Sequence, residues 1–148
     1  MTHALPIVPP AADNELLGSW LERIAAVYDL SAHQLLDRWQ VAPGPRAGTM
    51  PSVEMRVVAA HAMPLVADRT RTSPQVLWGM IPTVPEWLVA SDADVAVCLR
   101  CLADDDAAGR PRFRRGGWGI CCQVHCSQHR VPLIDMRGWR SRRLLTFT

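Results

Sequence analysis

The sequence predicts a mainly α-helical protein that ends in a small metal-binding module. Apolar residues recur at helical spacing through the first ninety residues, and residues that favour helix starts precede these stretches. A different pattern follows these helical stretches: C-L-R-C occurs first, and C-S-Q-H occurs 24 residues after it. We therefore expect a helical region with helix-turn-helix-like hairpins over 1–90 and a zinc ribbon or finger over 91–148. A chain of 148 residues that is 49% hydrophobic can bury such a core.

The first helix is expected to begin near Glu15. Pro9 and Pro10 end an extended leader, and Asp13 or Asn14 follows as a candidate N-cap. Apolar residues then recur every three or four positions, which predicts one helix face turned toward a core. That face consists of Leu16, Leu17, Trp20, Leu21, Ile24 and Tyr28.

Three later segments also have recognisable helix starts. Ser31, with a glutamine three residues later, forms a capping box. Ser73 is followed by Pro74, and proline suits the first helical position. Between them, an amphipathic stretch starts near Ser52, and Pro64 must kink or divide it.

A weak internal repeat, offset by 42 residues, relates two of these segments. Each copy predicts a helix, a short polar turn and a capped helix, which is the pattern of a helix-turn-helix. Simple packing of two-helix hairpins is the favoured interpretation, because the second helices carry little positive charge. The repeat aligns Ile24-Ala25 with Val66-Ala67, Ser31 with Ser73, and Leu35-Leu36 with Leu77-Trp78.

Four residues carry the prediction of a metal site: Cys98, Cys101, Cys126 and His129. Two ligands separated by two residues can hold one ion from a single tight turn, and a second pair at the same spacing completes a tetrahedron around zinc. Four protein ligands leave no open position for water, so we expect one structural Zn²⁺ ion. The alternative is a cluster of buried free thiols.

Three neighbouring residues, Cys121, Cys122 and His125, offer competing ligands. Cys121 with His125, or Cys122 with Cys126, has the spacing of neighbours on one helix face. The matched spacing of C-L-R-C and C-S-Q-H favours the first set. A thiol enzyme that uses Cys121 and Cys122 is a further alternative, but apart from the nearby His125 no partnered base is evident. We therefore predict that the protein is not an enzyme.

The remaining composition predicts a cytoplasmic protein without a membrane anchor. The start of the chain has no basic segment followed by an apolar core, so it does not resemble a signal peptide. No run reaches the ~18 apolar residues that a membrane span needs. Five cysteines in such a protein indicate metal binding rather than disulfides.

The net charge of +2 is unevenly distributed along the chain. Through Val97 there are 6 Arg against 10 Asp and Glu, a net −4, and from Cys98 onward there are 10 Arg against 4 Asp, a net +6. Such a basic region can neutralise phosphates. The alternatives are a solvated charged face, or arginines that offset the −1 charge of zinc bound by three thiolates. The candidate nucleic-acid-binding residues are Arg112, Arg114, Arg115, Arg140, Arg142 and Arg143.

Four motifs occur in order along the chain. They are E-L-L-G-S-W-L-E-R-I-A at 15–25 after the Pro-rich leader, V-C-L-R-C-L-A-D-D at 97–105, F-R-R with Trp118, and C-S-Q-H-R-V-P-L at 126–133. Together they resemble the TniQ family. Residues 41–63 are poorly matched. Many relatives have another cysteine pair where this chain has D-M-R-G-W, so no second zinc site is expected.

The resemblance implies an accessory protein of a transposon that links a target-recognising element to the AAA+ ATPase that recruits the transposase. It implies helix-turn-helix-like elements with zinc-binding motifs, and no enzymatic activity. The implied partners are the AAA+ ATPase, DNA, and either a CRISPR effector complex or another target-recognising protein. The alternative function is that of a stand-alone zinc-containing, DNA-binding transcriptional regulator.

Overall fold

The computed structural model describes residues 3–43, 52–91 and 96–136, and six α-helices lie in these ranges. The mainly helical fold expected from the sequence is confirmed. Pro64 lies in the first turn of the fourth helix, so it divides the amphipathic stretch as expected. The helices are α1 (Leu17–Val27), α2 (Ala32–Arg38), α3 (Val53–Ala59), α4 (Met63–Thr70), α5 (Pro74–Gly79) and α6 (Leu99–Ala107).

Buried apolar residues form two clusters. The larger one packs α1 to α5 together and includes Leu17, Leu21 and Val57, which are fully buried. The smaller one lies beneath a two-stranded antiparallel sheet of β1 (Ala96–Val97) and β2 (Ile134–Asp135). Its buried members are Val97, Cys98, Cys101, Leu102, Trp118, Cys126 and Met136.

The two segments related by the internal repeat share one local geometry. Asp29 and Arg71, 42 residues apart, both adopt the left-handed conformation, with φ of 55° and 53°. Ser31 and Ser73 then cap α2 and α5, each accepting the N–H three residues later. Equivalent hydrogen bonds close the two turns, from Leu30 N–H to Ala25 O (3.0 Å) and from Thr72 N–H to Ala67 O (3.1 Å). A DNA-binding role for either hairpin stays a prediction.

The start of α1 differs from the prediction. The helix begins at Leu17 and no side chain caps it locally, so the proposed caps Asp13 and Asn14 were wrong. The carboxylate of Glu54, on α3, instead accepts the N–H of Gly18 at 2.6 Å. A carboxylate at this end also suits the helix dipole. A cap supplied from 36 residues away leaves no local sequence signal.

Residues 113–121, here called the linking segment, connect the two buried clusters. The N–H of Leu16 donates to Arg114 O (2.9 Å), and the N–H of Arg114 donates to the Ser19 hydroxyl (2.9 Å). Further along, Ala90 N–H donates to Gly119 O (2.8 Å). The metal-binding module is therefore attached to α1 and to the segment after α5. A division into domains at residue 90 stays a prediction.

The helices of the described ranges are short, and α1 is the longest at 11 residues. None of them combines the length and the apolar composition that crossing a bilayer would require.

Replacing Gly18 by alanine should destabilise the protein. Alanine normally exceeds glycine in helices by about 0.5–1 kcal/mol. Here a Cβ would lie 2.7 Å from Glu54 Oε1 and 3.1 Å from Arg114 Nη2, so it would displace the group that caps α1. We expect Gly18→Ala to lower the free energy of unfolding by about 1–3 kcal/mol.

The matched control is Gly79→Ala at the end of α5, where a Cβ would meet nothing within 4 Å. It should be neutral or slightly stabilising. Denaturant titration of both variants gives the comparison, and a Gly18→Ala protein as stable as Gly79→Ala would contradict the capping role of Glu54.

Candidate metal centre

Cys98, Cys101, Cys126 and His129 converge on one point. One ligand atom from each residue lies within 4.8 Å of all the others. Cys101 and Cys126 have their Sγ atoms 3.5 Å apart, and Nδ1 of His129 lies 3.3, 3.6 and 3.7 Å from the three sulfurs. A zinc tetrahedron has edges of roughly 3.5–3.8 Å, given bonds of about 2.3 Å to sulfur and 2.1 Å to nitrogen. The four side chains therefore fit one metal ion.

Two local structures position these ligands. Cys98 is the N-cap residue of α6 and Cys101 lies in its first turn, so the start of one helix presents both sulfurs. The second pair lies in a tight turn. There the backbone N–H of His129 points at Cys126 Sγ (3.4 Å), and the N–H of Arg130 donates to Cys126 O (2.8 Å).

The three thiols are almost completely buried, with at most 4% of each residue exposed. Burial raises the pKa of Cys101, and contacts with the Cys126 and Cys98 thiols add to this effect. Burial also acts to raise the pKa of Cys126, but hydrogen bonds from His129, Cys101 and Gln128 together outweigh it and lower that pKa. Because thiolates are the metal-binding form, an ion entering the site must displace a proton from Cys101.

The competing candidates Cys121, Cys122 and His125 lie outside this cluster. Both thiols are exposed, and Cys121 Sγ lies 3.9 Å from the carbonyl oxygen of Trp87. His125 is exposed too. In the described part of the chain, the geometry therefore favours the ligand set with matched spacing.

Consecutive aspartates on α6 bind the arginines between the ligand pairs. Asp105 is fully buried and accepts two bonds from Arg115, at 2.6 and 2.8 Å, and two longer ones from Arg110, at 3.2 and 3.4 Å. Asp106 accepts two bonds from Arg112, at 2.8 and 2.5 Å, and these lower the pKa of that carboxyl group. The acidic and basic runs of this region therefore neutralise each other inside the module.

The placement of Arg114 and Arg115 argues against direct binding to phosphates. Arg114 is only 8% exposed. The guanidinium carbon of Arg115 lies 4.0 Å from the ring centroid of Phe113 and 5.2 Å from that of Trp118. Arg112 pairs with Asp106 at the surface, and its assignment as a nucleic-acid contact stays a prediction. Arg140, Arg142 and Arg143 lie outside the described residues, and their assignment stays a prediction.

The sequence analysis missed two exposed arginines beside the ligands. Arg100 lies between Cys98 and Cys101, and Arg130 directly follows His129. Neither forms an ion pair within the described ranges. For Arg100 the spacing contained a signal, because this residue lies between two cysteines whose side chains converge on one point.

No protein-family model matches this sequence, and no curated protein is significantly similar to it. The TniQ resemblance therefore depends on the motifs alone.

Ligand substitutions should separate the two sets of cysteines. We expect Cys98→Ser and Cys126→Ser to lose bound metal, because three ligands hold an ion far more weakly than four. Cys121→Ser and Cys122→Ser should keep about one ion per chain. Elemental analysis of the purified variants measures this content. A Cys122→Ser protein without metal beside a fully loaded Cys126→Ser protein would show that the ligand assignment is wrong.

Proposed function

We propose that the protein is a TniQ-like transposition adaptor that links target recognition to an AAA+ ATPase. The observation that carries this proposal is the contact between the motifs of the resemblance. Within 15–25, Leu16 and Ser19 hydrogen-bond the backbone of Arg114, and Glu15 pairs with Arg115 in an isolated antiparallel bridge. Motifs almost a hundred residues apart thus belong to one folded unit, as expected if the resemblance reflects a common fold.

In this proposal the bound metal is zinc, and its role is structural. Three thiolates and one imidazole in a tetrahedral arrangement form a set that zinc prefers. All four positions are filled by side chains, so an ion held there has no position left for a substrate or a water nucleophile. The protein then works as a binding module rather than as an enzyme.

Two exposed tryptophans of the helical half are the proposed anchors for the ATPase. Trp78 on α5 is 51% exposed, and Trp87 in the 3₁₀ turn Glu86–Leu88 is 77% exposed. Trp39 is buried and belongs to the core, and Trp139 lies outside the described residues. Aromatic residues of this kind contribute much of the binding energy at protein interfaces.

Nucleic-acid contacts are auxiliary in this proposal and are assigned to Arg100 and Arg130. Both guanidinium groups extend from turns that hold metal ligands, so their backbones are fixed. Phosphate contacts by such arginines position a protein on a duplex without reading its sequence. The cluster with zinc carries about −1 charge, and Asp104 is nearby, so we expect weak binding.

The partner test is co-purification with the AAA+ ATPase encoded beside this gene, in the presence of ATP and DNA. The wild-type protein with its metal should be retained. Trp78→Ala and Trp87→Ala should each weaken binding by about 2 kcal/mol, or roughly thirtyfold, as expected for interface anchors. Val27→Ala, at a 43% exposed apolar residue of α1, is the control and should bind normally. A correctly folded wild-type protein that is not retained would contradict the adaptor proposal.

Salt-dependent binding to two unrelated duplexes tests the nucleic-acid contacts. Affinity should fall steeply with salt and differ little between sequences. Arg100→Gln combined with Arg130→Asn should reduce the salt slope by about 2, one for each lost phosphate contact. Asparagine is chosen because Arg130 has a φ of 54°, which asparagine tolerates.

Arg38→Gln, which removes one positive charge at an exposed position of α2, is the control and should leave the slope unchanged. Strong discrimination between the duplexes by the wild-type protein alone would instead favour the transcriptional regulator.

A further inference from the structure

We propose that Asp104 is a positioning residue for the metal centre, acting through His129. One carboxylate oxygen of Asp104, Oδ2, lies 2.9 Å from Nε2 of the imidazole. The other ring nitrogen, Nδ1, is the one that faces the three sulfurs. The ring therefore lies between the metal position on one side and a carboxylate on the other. This inference depends on the metal centre and not on the adaptor function.

The helix geometry explains how Asp104 reaches the ring. It follows Cys101 by three residues on α6, and residues three apart lie on the same helix face. One short helix thus supplies both a metal-binding sulfur and the carboxylate that orients the imidazole. The next two aspartates bind arginines instead, so each of the three acidic side chains has a different partner.

The chemistry requires a defined tautomer of the ring. An imidazole that binds a metal through Nδ1 must carry its proton on Nε2, and a carboxylate that accepts this N–H stabilises that form. The same bond fixes the ring plane and makes Nδ1 a better electron donor. The side chain of His129 is 18% exposed, so packing alone restrains it less than the thiols.

A simple surface ion pair is the competing interpretation, and it makes the opposite prediction. It needs a protonated imidazole, which cannot bind metal, and an exposed pair of this kind contributes little to stability. The carboxylate of Asp104 is 50% exposed. Under that interpretation, removing Asp104 would leave zinc affinity unchanged or raise it. Under ours, zinc affinity must fall.

The experiment measures zinc affinity of the full chain by competition with a chromophoric chelator. Asp104→Ala should bind zinc about 10–100-fold more weakly than wild type. Asp104→Asn should be intermediate, because an amide oxygen accepts the same N–H without a charge. The matched control is Asp106→Ala, two residues along α6 with a carboxylate that is 49% exposed, and it should change affinity less than about threefold.

A spectroscopic measurement distinguishes an effect on the tautomer of His129 from a general loss of folded structure. In zinc-loaded wild-type protein, long-range ¹H–¹⁵N correlation spectra should show His129 with metal on Nδ1 and a proton on Nε2. In Asp104→Asn, which retains the shape of the side chain, the Nε2 proton should exchange faster with solvent, while Asp106→Ala should resemble wild type. Wild-type affinity in both Asp104 variants, or metal on Nε2 in the wild type, would overturn the proposal. A wild-type chain that binds no zinc would overturn it as well, whatever the result with the ATPase.

Discussion

The cluster of Cys98, Cys101, Cys126 and His129 is the constraint around which the C-terminal module is built. Three of its seven buried core residues, Cys98, Cys101 and Cys126, are cysteines of the candidate site. Its sheet has only two residues in each strand, which is too little pairing to be stable alone. In our proposal a bound ion joins the start of α6 to the C-S-Q-H turn and so adds to the small apolar core of this segment. Metal affinity and folding free energy would then be linked in this module.

Buried ion pairs support the two sides of the junction between the module and the helices. On the helical side Glu15 is 1% exposed and binds Arg23 at 2.7 Å, and on the side of the module Asp105 holds Arg115 of the linking segment. Such pairs lose hydration on burial, so each is favourable only while both partners stay in place. The contacts that cross the junction are hydrogen bonds to the backbone, such as that from Leu16 N–H to Arg114 O at 2.9 Å. Ser19 of the E-L-L-G-S-W motif adds a contact across the junction, because its hydroxyl accepts the backbone N–H of Arg114.

Features that depend on neighbouring residues were predictable from the sequence, and features that depend on distant partners were not. Ser31 and Ser73 cap their helices as expected, because a cap and its N–H are three residues apart. The four metal ligands were recognisable by spacing. The cap that Glu54 supplies to α1 and the pairing of Asp105 with Arg115 required the fold. The sequence did indicate that Asp105 and Arg115 could pair, since three aspartates precede an arginine-rich run. Composition alone, however, does not distinguish ion pairs inside the module from a basic surface.

The distribution of charge also limits which surfaces of the C-terminal third could bind a charged partner. The net +6 of the C-terminal third suggested a broad phosphate-binding surface, yet its described arginines at 110, 112 and 115 are paired with aspartates of α6. Charges that neutralise each other at close range produce little field at the distance of an approaching duplex. In the proposed function, recognition would depend on a few exposed side chains, such as Trp78, Trp87, Arg100 and Arg130. A limited set of contacts would suit an adaptor that joins larger assemblies, each of which supplies its own specificity.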